Sequence, residues 1–571
     1  MMVLGTTSYL TINGASGNLA NTALGTITNN GTITLQGNWI NNGAFTDNNI
    51  YTSLGVVNFL GTSAQDITGP TTFSNVTINN ASGVTLNSTA TINGILTLTA
   101  GTLATGGNLN QNLYNGAIAG TGSGATTGNI RFFKTIWGDR YHYLSSPIAA
   151  KTAADWNDNV TIKFGANANL YSYNEALPDS NQKIGWSAIG TTATALANVA
   201  GYALFFPRYV YNTMLDVSGA YTHTVTFTSA GLTNTPSTTP VSKPSSDGWN
   251  LVGNPYPTTL DWTIGAGWTK PALLGNAIYM WDGRKNRYTS YVAGIGTNGG
   301  SQYIGSMQGF FVKMAAGGSG TLSINNNARV TSILHDVWRT EQLSNVLRIV
   351  ASIDTITDET VVRFTDDATE LFDDQLDAYK LYNSDNTPSL SSVSSNENYS
   401  VNSLPFTSDQ KTIPLELITA LNGTYTLTSD ISTFSDNTSL ILEDRLLGIS
   451  QRLNENNSYT VSLNKGSYQG RFFINYTKQN TVTDNHSISN ANAGIEIGAY
   501  NQNIFINFLN QYSGSAQVKV FDAVGRVVYD MENTNVKSSR VDFSLPHPDG
   551  IYLVKVVTAS RQKIQQVYIH K

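Results

Sequence analysis

Apolar residues recur at a six-residue spacing in the first part of the chain. From Gly25 the sequence runs GTITNN, GTITLQ, GNWINN and GAFTDN, and an apolar residue stands two positions after each glycine. These apolar positions are Ile27, Ile33, Trp39 and Phe45. A short repeat of alternating strands is typical of a solenoid that buries one side-chain column. We therefore predict a β-solenoid, similar to a parallel β-helix, over residues 1–120.

The same alternation resumes between residues 75 and 103, as NVTINNASGVTLNSTATINGILTLTAGTL. The predicted inward-facing pairs follow one another at spacings of eight, six and six residues: Val76 and Ile78, Val84 and Leu86, Ala90 and Ile92, and Leu96 and Leu98. Successive coils of this kind are expected to bury a continuous apolar column.

A longer repeat follows the predicted solenoid. The segment YHYLSSP is echoed by WNLVGNPYP, so that Pro147 and Pro255 lie 108 residues apart. LYSYNEA and IYMWDGR, and GYALFFP and GFFVKM, are separated by the same distance. Alternating, aromatic-rich segments favour strands. The pattern predicts two related β-sandwich-like units, which we call repeat 1 (125–235) and repeat 2 (236–335).

Strand-like runs separated by polar turns continue to the end of the chain. Residues 345–480 predict a further β-sandwich, and the aperiodic polar stretch 477–494 predicts a linker. Regularly spaced strands over residues 495–571 predict a small C-terminal immunoglobulin-like sandwich. The predicted fold class is therefore all-β.

The C-terminal segment contains a hairpin signal in VFDAVGRVVY. Asp522 can bond the turn backbone through its side chain, and Gly525 can adopt a positive φ. Together with PDGIYLVKVV and the closing lysine, this segment resembles the type A C-terminal sorting domain of the Bacteroidetes type IX secretion system. The residues at the motif positions of that family are Asp522, Gly525, Gly550, Tyr552, Lys555 and Lys571.

The resemblance implies partners and a location. Members of this family are exported by outer-membrane machinery, and many are then cleaved by a sortase-like protease and anchored to surface lipopolysaccharide. We therefore expect an extracellular or cell-surface protein. Because the first residues lack the pattern of a secretory signal peptide, we expect the chain to begin after a missing leader. The alternative for residues 495–571 is an ordinary sandwich module without an export role.

Composition narrows the choice of partners. Charged residues make up 12% of the chain, the formal net charge is −6, and there is no cysteine. A chain with this charge has no basic field that would concentrate nucleic acid or anionic lipid. The absence of cysteine excludes disulfides, thiol nucleophiles and cysteine-ligated zinc.

Catalytic signals are sparse. Residues 1–130 contain two acidic residues, Asp47 and Asp66, and the first basic residue is Arg131. Glycoside cleavage usually needs paired carboxylates, so the solenoid is predicted to be non-catalytic. The six histidines are dispersed and form no HExxH motif. We therefore predict no enzyme activity and no cofactor.

The densest acidic stretch gives a weak candidate for a calcium site. It includes Asp366, Asp367, Asp373 and Asp374. Clustered carboxylates can hold Ca²⁺, but this spacing fits no EF-hand loop. A solvated acidic turn is the alternative.

Aromatic residues concentrate in the two repeats. Trp249, Tyr256, Trp281 and Tyr288 are candidates for glycan contact, since aromatic faces can stack on sugar rings. The alternative is that they fill sandwich cores, because aromatic side chains bury large areas.

The leading functional hypothesis is therefore an exported structural or adhesive protein. A carbohydrate-binding protein in glycan capture at the cell surface is the alternative. An enzyme of polysaccharide breakdown ranks third, and it would need a carboxylate pair facing a cleft in residues 345–480.

Overall fold

The computed structural model describes most of the chain and divides it into two compact units, Met1–Asn480 and Thr481–Lys571. The described residues are 1–47, 55–156, 160–176, 185–207, 213–222, 226–229, 232–233, 248–331, 343–384, 386–406, 410–434, 438–478, 495–500, 502–508, 514–536, 540–559 and 562–569. The fold is all-β, as predicted.

The N-terminal region is a stack of short, mostly parallel strands that form three faces. The first face contains, in hydrogen-bonded order, Tyr9–Ile12, Thr32–Leu35, Val56–Phe59, Asn75–Asn79, Ile95–Ala100 and Ala117–Ile118. The second contains Leu19–Asn21, Trp39–Asn41, Gln65–Thr68, Val84–Leu86, Thr102–Ala104 and Ala125–Thr127. The third comprises two sheets, Met2–Leu4, Thr26–Asn29 and Ala44–Asp47, and then Thr71–Phe73, Ala90–Ile92, Leu109–Asn112, Asn129–Ile136 and Thr213–Ala220. This arrangement confirms the predicted solenoid.

The six-residue spacing is the distance from one strand to the next around a coil. One full coil is longer, because Leu10 pairs with Ile33 and Ile33 with Val57 in the parallel register. Ile33 and Trp39 are completely buried, and Trp39 packs edge-on against Phe45 with ring centroids 4.9 Å apart. The predicted apolar column is therefore confirmed in these coils.

The end of the solenoid is closed by other parts of the chain. Asn129–Ile136 pairs in parallel with Leu109–Asn112 on one side and antiparallel with Thr213–Ala220 on the other. The buried guanidinium of Arg329 donates to the carbonyl oxygens of Ile118 and Ala119. These contacts satisfy backbone carbonyls that an open end would leave to water.

The two repeats contain sheets with the same strand order. In repeat 1 the order is Arg140–Leu144, Tyr202–Phe206, Leu170–Tyr173 and Trp186–Ala188. In repeat 2 it is Trp249–Gly253, Gly309–Lys313, Ile278–Asp282, Arg287–Val292 and Ile295–Thr297. The strand register also recurs. Tyr171 pairs with Ala203 in repeat 1, and the residues 108 positions later, Tyr279 and Phe311, pair with each other in repeat 2.

The repeats contact each other through corresponding residues. Leu144 forms an antiparallel bridge with Gln308, and Ala200 forms one with Val252. Since Val252 and Gln308 stand 108 positions after Leu144 and Ala200, the two bridges are related by exchange of the repeats. Such reciprocal contacts are the mark of an isologous, two-fold interface, here within one chain.

Short strand pairs complete this region. They are Lys151–Thr152 with Ala195–Leu196, Phe227–Thr228 with Ser323–Ile324 and Trp268–Thr269, Leu232–Thr233 with Ser319–Gly320, and Thr259–Asp261 with Tyr303–Ile304 and Arg329–Val330. Single 3₁₀ turns lie at Ala153–Trp156, Gly165–Asn167, Gly265–Gly267 and Asn326–Ala328. No helix in the described residues is long and apolar enough to cross a membrane.

The region from Val346 to Lys478 is built on one continuous sheet. Its hydrogen-bonded order is Ile449–Arg452, Thr438–Asp444, Gly466–Lys478, Gln410–Thr419, Ser389–Ser394, Glu397–Leu404, Ile356–Phe364, Val346–Ile353, Gly423–Asp430 and Ser458–Leu463, with Ala378–Tyr379 paired to Glu397–Leu404. Its core includes Leu347, Leu415 and Ile474, which have no exposed surface.

The second unit contains two antiparallel sheets. One comprises Ile495–Tyr500, Asn503–Phe508 and Arg540–Ser544, and the other Val527–Val536, Gly514–Phe521, Gly550–Thr558 and Gln562–Ile569. Ile504, Val520 and Val554 are fully buried in a shared core. The predicted domain boundaries stay predictions, and most of the predicted linker, 479–494, lies outside the described residues.

Candidate functional site

The predicted sorting motif begins at a tight turn. The backbone N–H groups of Val524 and Arg526 donate to Oδ1 of Asp522 at 3.1 and 2.9 Å, and Nε of Arg526 donates to Oδ2 at 2.8 Å. Gly525 has a φ of 84°, which lies in the left-handed region that favours glycine. The predicted turn at Asp522 and Gly525 is thus confirmed, whereas the role of these two residues in sorting stays a prediction.

Three further motif residues lie on or beside one strand. Gly550 begins the strand Gly550–Thr558. The buried Tyr552 donates from its hydroxyl to the carbonyl oxygen of Pro548 at 2.9 Å. Lys555 stands opposite Lys519, which forms an ion pair with Asp530 at 3.0 Å. The remaining candidate, Lys571, lies outside the described residues.

The outer face of this sheet carries exposed apolar side chains. Leu553 is 41% exposed, Tyr568 59% and Ile564 47%. They alternate along their strands with buried residues such as Val554 and Val567. The sorting role of the predicted motif residues Asp522, Gly525, Gly550, Tyr552, Lys555 and Lys571 stays a prediction.

Two of the four predicted glycan-contact residues are buried, so that prediction is corrected for them. Trp249 is 2% exposed and packs edge-on against Tyr279 at 4.9 Å. Tyr256 has no exposed surface, and its hydroxyl donates to the carbonyl oxygen of Ile324 at 3.0 Å. Both rings pack in the core, as the alternative interpretation predicted. Removing their large apolar surface from water stabilises the fold.

The other two candidates are half-buried neighbours on one hairpin. The rings of Trp281 and Tyr288 lie 4.9 Å apart at 66°. The hydroxyl of Tyr288 bonds that of Tyr143 at 2.6 Å, which holds its ring inside the repeat interface. Trp281 donates from Nε1 to the carbonyl oxygen of Tyr141 at 3.1 Å and lines a cavity.

This cavity, which we call the repeat cleft, has a volume of about 410 Å³. Its lining combines the strand that ends the solenoid with the Ile278–Asp282 hairpin of repeat 2. The described lining residues that carry its chemistry are Lys134, Trp137, His142, Trp281, Arg284 and Tyr303. Trp137 is 41% exposed, so an aromatic surface is open to solvent beside Trp281.

Lys134 is the unusual residue of the repeat cleft. It follows Ile130 and Phe132 in the inward-facing register of its strand. Its ammonium donates to the carbonyl oxygen of Ser306 at 2.8 Å. Burial lowers the pKa of Lys134 to about 8. No ion pair in the described part of the chain includes it.

Other groups in the repeat cleft leave the charge balance positive. Burial lowers the pKa of His142 to about 4, so its ring is neutral at physiological pH and donates through Nε2 to the carbonyl oxygen of Trp137 at 2.8 Å. Asp282, the one carboxylate among the described lining residues, lies 3.8 Å from Arg284. Sequence reasoning missed Lys134, although a lysine in the apolar alternation of NIRFFKTI was the available signal.

The acidic candidates do not gather around a common point. Asp366 and Asp367 are exposed in a turn. The backbone of Gln375 donates to Asp373 at 2.9 Å, and its side chain donates to Asp374 at 3.1 Å. Among the residues that the structure describes, no three histidine or acidic side chains are placed to hold a metal. The weak calcium candidate therefore gains no geometric support and stays a prediction.

Two family models match the chain. The model described as "Domain of unknown function (DUF8693)" matches residues 28–476. The model described as "Secretion system C-terminal sorting domain" matches residues 500–570. The second match confirms the predicted type IX secretion cargo protein and indicates a secreted or cell-surface location.

A curated relative is the minor fimbrium subunit Mfa5 of Porphyromonas gingivalis. It is 24% identical over 358 residues, which cover 57% of this chain and 27% of that protein. The chain thus spans about a quarter of the length of this relative.

Solved structures overlap the chain weakly. A two-domain fibronectin type-III segment of chicken tenascin is 10% identical, covers 26% of this chain and 94% of its own, and has a TM-score of 0.11. The adhesin domain of Epf from Streptococcus pyogenes is 7% identical, covers 39% and 91%, and has a TM-score of 0.11. At such TM-scores these overlaps carry no argument.

Proposed function

The chain belongs to the family described as "Domain of unknown function (DUF8693)", and from this premise we propose that it is a structural or adhesive protein delivered to the cell surface. The sorting domain at residues 500–570 is the observation that carries the proposal, because it directs the preceding region out of the cell. In this proposal the export machinery recognises the module, a sortase-like protease removes it, and surface lipopolysaccharide anchors the product.

The form of the first unit supports a structural role. A solenoid whose coils are joined by parallel ladders is a stiff spacer, since each coil is fixed by its neighbours. Its described end is closed by Arg329 and by Thr213–Ala220, so the spacer and the repeats are joined by hydrogen bonds as well as by the chain. The similarity to a fimbrium subunit agrees with such a role for this chain.

We propose that the protein performs no catalysis. Two buried carboxylates in the predicted third sandwich are held by cations, Asp358 by Lys380 and Asp444 by Arg471. Groups that are locked in this way stabilise the fold and are poorly placed to exchange protons with a substrate.

The test is export and adhesion in a bacterium with a type IX system. The full chain, a variant lacking residues 495–571 and a Gly190→Ala control would be expressed in a strain that lacks the native protein. We expect the deletion to remain inside the cell, whereas the control should reach the surface and restore adhesion. Normal surface delivery of the deletion variant would contradict the export role, and full delivery without any adhesion phenotype would contradict the adhesive role.

Carbohydrate binding at the cell surface is the second candidate function. The specific observation in its favour is the repeat cleft, where Trp137 and Trp281 offer aromatic surface beside polar groups. Ligand pockets commonly combine apolar walls with a few fixed polar groups. A glycan array probed with the full chain and with Trp281→Ala tests this candidate, which a blank array from folded protein would contradict.

A further inference from the structure

We infer that the repeat cleft binds an anionic saccharide and that Lys134 is the charge partner of its acidic group. The inference deepens the carbohydrate-binding candidate and rests on it. It adds the ligand class and the residue that selects for it.

The first step is the position of Lys134. Its side chain extends from a strand whose neighbouring inward residues, Phe132 and Ile136, are buried. In this register the ammonium of Lys134 lies away from bulk water. No carboxylate in the described residues forms an ion pair with it, and its hydrogen bond goes to the backbone of Ser306. Desolvated charge without a counter-charge is costly, so an anion that enters the cleft would recover part of that cost.

The second step is the number of hydrogen-bond donors. An ammonium has three donor positions, and the hydrogen bond from Lys134 to Ser306 at 2.8 Å uses one of them. Its Nζ also lies 3.8 Å from the position of a Cβ on Gly305, so the surrounding backbone is close. The remaining donors can serve a ligand oxygen, and a charged acceptor makes such hydrogen bonds stronger.

The third step is the charge of the whole lining. The described lining residues include three cations, Lys134, Arg284 and Lys285, and one carboxylate, Asp282. Arg284 and Lys285 are exposed at the rim and can steer an anion, whereas Lys134 lies inside. His142 adds no charge at neutral pH, because burial holds its pKa at about 4.

The fourth step distinguishes a saccharide from a simple anion. Trp137 and Trp281 provide aromatic surface in the same cavity as the ammonium. An inorganic anion would use the ammonium alone, whereas a sugar ring carrying an acidic group would use both the charge and the aromatic surface. The cavity volume of about 410 Å³ falls in the usual range for small-ligand sites.

The experiment measures binding of the full chain to three oligosaccharides of equal length, one carboxylated (oligogalacturonate), one sulfated and one neutral (cello-oligosaccharide). Inorganic phosphate and sulfate are added as competitors. The variants Lys134→Gln and Trp137→Ala are compared with the control Lys270→Gln. Lys270 lines a different cavity, and burial lowers its pKa to about 8, as it does for Lys134. Thermal melting checks that each variant is folded.

We expect a carboxylated or sulfated oligosaccharide to bind at least about tenfold more tightly than the neutral one, with the preference reduced by added salt. Lys134→Gln should abolish this preference, Trp137→Ala should weaken binding of every saccharide, and Lys270→Gln should change neither. The ratio of the dissociation constants of the carboxylated and the sulfated oligosaccharide shows which acidic group the cleft prefers.

Two outcomes overturn the inference in different ways. Equal binding of neutral and anionic ligands, or an anionic preference that survives Lys134→Gln in folded protein, would remove the role of Lys134 but leave carbohydrate binding intact. If none of the three oligosaccharides bound, carbohydrate binding itself would be contradicted. The same would follow if inorganic phosphate or sulfate displaced a bound oligosaccharide as effectively as the free oligosaccharide does.

Discussion

Ser145 in repeat 1 donates a hydrogen bond from its hydroxyl to the backbone carbonyl oxygen of Asn254 in repeat 2, at 2.7 Å. Asn254 in turn fixes the turn that follows it. Its Nδ2 donates to the carbonyl oxygens of Thr258 at 2.8 Å and Gly305 at 2.9 Å, and its Oδ1 accepts from the backbone N–H of Tyr256 at 2.9 Å. The polar residues of the duplicated motif thus join the repeats and shape the proline turn together.

We predict that Asn254→Ala lowers the free energy of unfolding of the first unit by about 3 kcal/mol, and Ser145→Ala by about 1 kcal/mol. The asparagine is fully buried and its loss leaves several backbone groups without partners, whereas the serine removes one donor. Chemical denaturation followed by tryptophan fluorescence measures both. Ser123→Ala, which removes an exposed hydroxyl, is the control and should have almost no effect. Equal losses for Asn254→Ala and the control would contradict the assigned role.

The close approach of the repeats predicts unequal effects at two corresponding glycines. A Cβ on Gly201 would lie 2.6 Å from Cγ of Leu251 and 2.9 Å from the carbonyl oxygen of Val252, while a Cβ on Gly309 would lie 3.1 Å from the nearest atoms of Tyr143. We expect Gly201→Ala to destabilise the protein by about 2 kcal/mol and Gly309→Ala by less, since overpacking grows with the overlap.

Thermal melting of both alanine variants checks this order. Gly190→Ala is the matched control, because a Cβ there would meet no atom within 4 Å. The interface geometry would be contradicted if Gly309→Ala were the more damaging of the two interface variants.

Much of this architecture could be predicted from sequence because it repeats. The six-residue spacing identified buried positions such as Ile33 and Trp39, and the 108-residue offset identified segments that share strand order and register. The reciprocal bridges, such as Leu144 with Gln308, could not be predicted, because a repeat offset shows which segments are alike but not how they contact each other.

The candidate site was only partly predictable for a similar reason. Trp249 and Trp281 lie in equally aromatic stretches, yet one is buried in the core and the other lines the repeat cleft. Which aromatic ring remains accessible depends on the packing between strands distant in sequence. Lys134 could have been found, since a charged residue in an inward-facing register conflicts with the local apolar pattern.

Asp377 is predicted to make stability depend on pH. Desolvation by burial, with a further contribution from the charge of Asp373, raises the pKa of Asp377 to about 7, although the backbone N–H of Ser403 donates to it at 2.6 Å. Because this value exceeds that of an unfolded aspartate, the folded state holds the proton more tightly. The resulting stability is fully present below about pH 4 and is lost as the pH rises towards 7.

Asp377→Asn should therefore gain stability relative to the wild type as the pH rises from 5 to 8, by about 2–3 kcal/mol at most. Asp444→Asn is the control. Although desolvation opposes it, hydrogen bonds from Arg471 and Tyr459 lower the pKa of Asp444, so the difference between this variant and the wild type should stay constant over the same range. Melting temperatures of the wild type and of both variants are measured at four pH values. A difference between Asp377→Asn and the wild type that does not change with pH would contradict the raised pKa of Asp377.

The turn of the sorting domain predicts a link between local backbone geometry and export. At Gly525 the φ of 84° disfavours residues with a Cβ, so Gly525→Ala should cost about 1 kcal/mol, whereas Gly525→Asn should cost less because asparagine tolerates this conformation. No atom lies within 4 Å of the Cβ position, so any loss comes from the backbone rather than from a clash. If the machinery recognises the folded module, the amount exported should rank in the order glycine, asparagine and alanine. Quantitative immunoblotting of cell and medium fractions, normalised to total protein, measures that order, and export of the alanine variant at the level of the unaltered chain would show that the turn geometry is not needed for sorting.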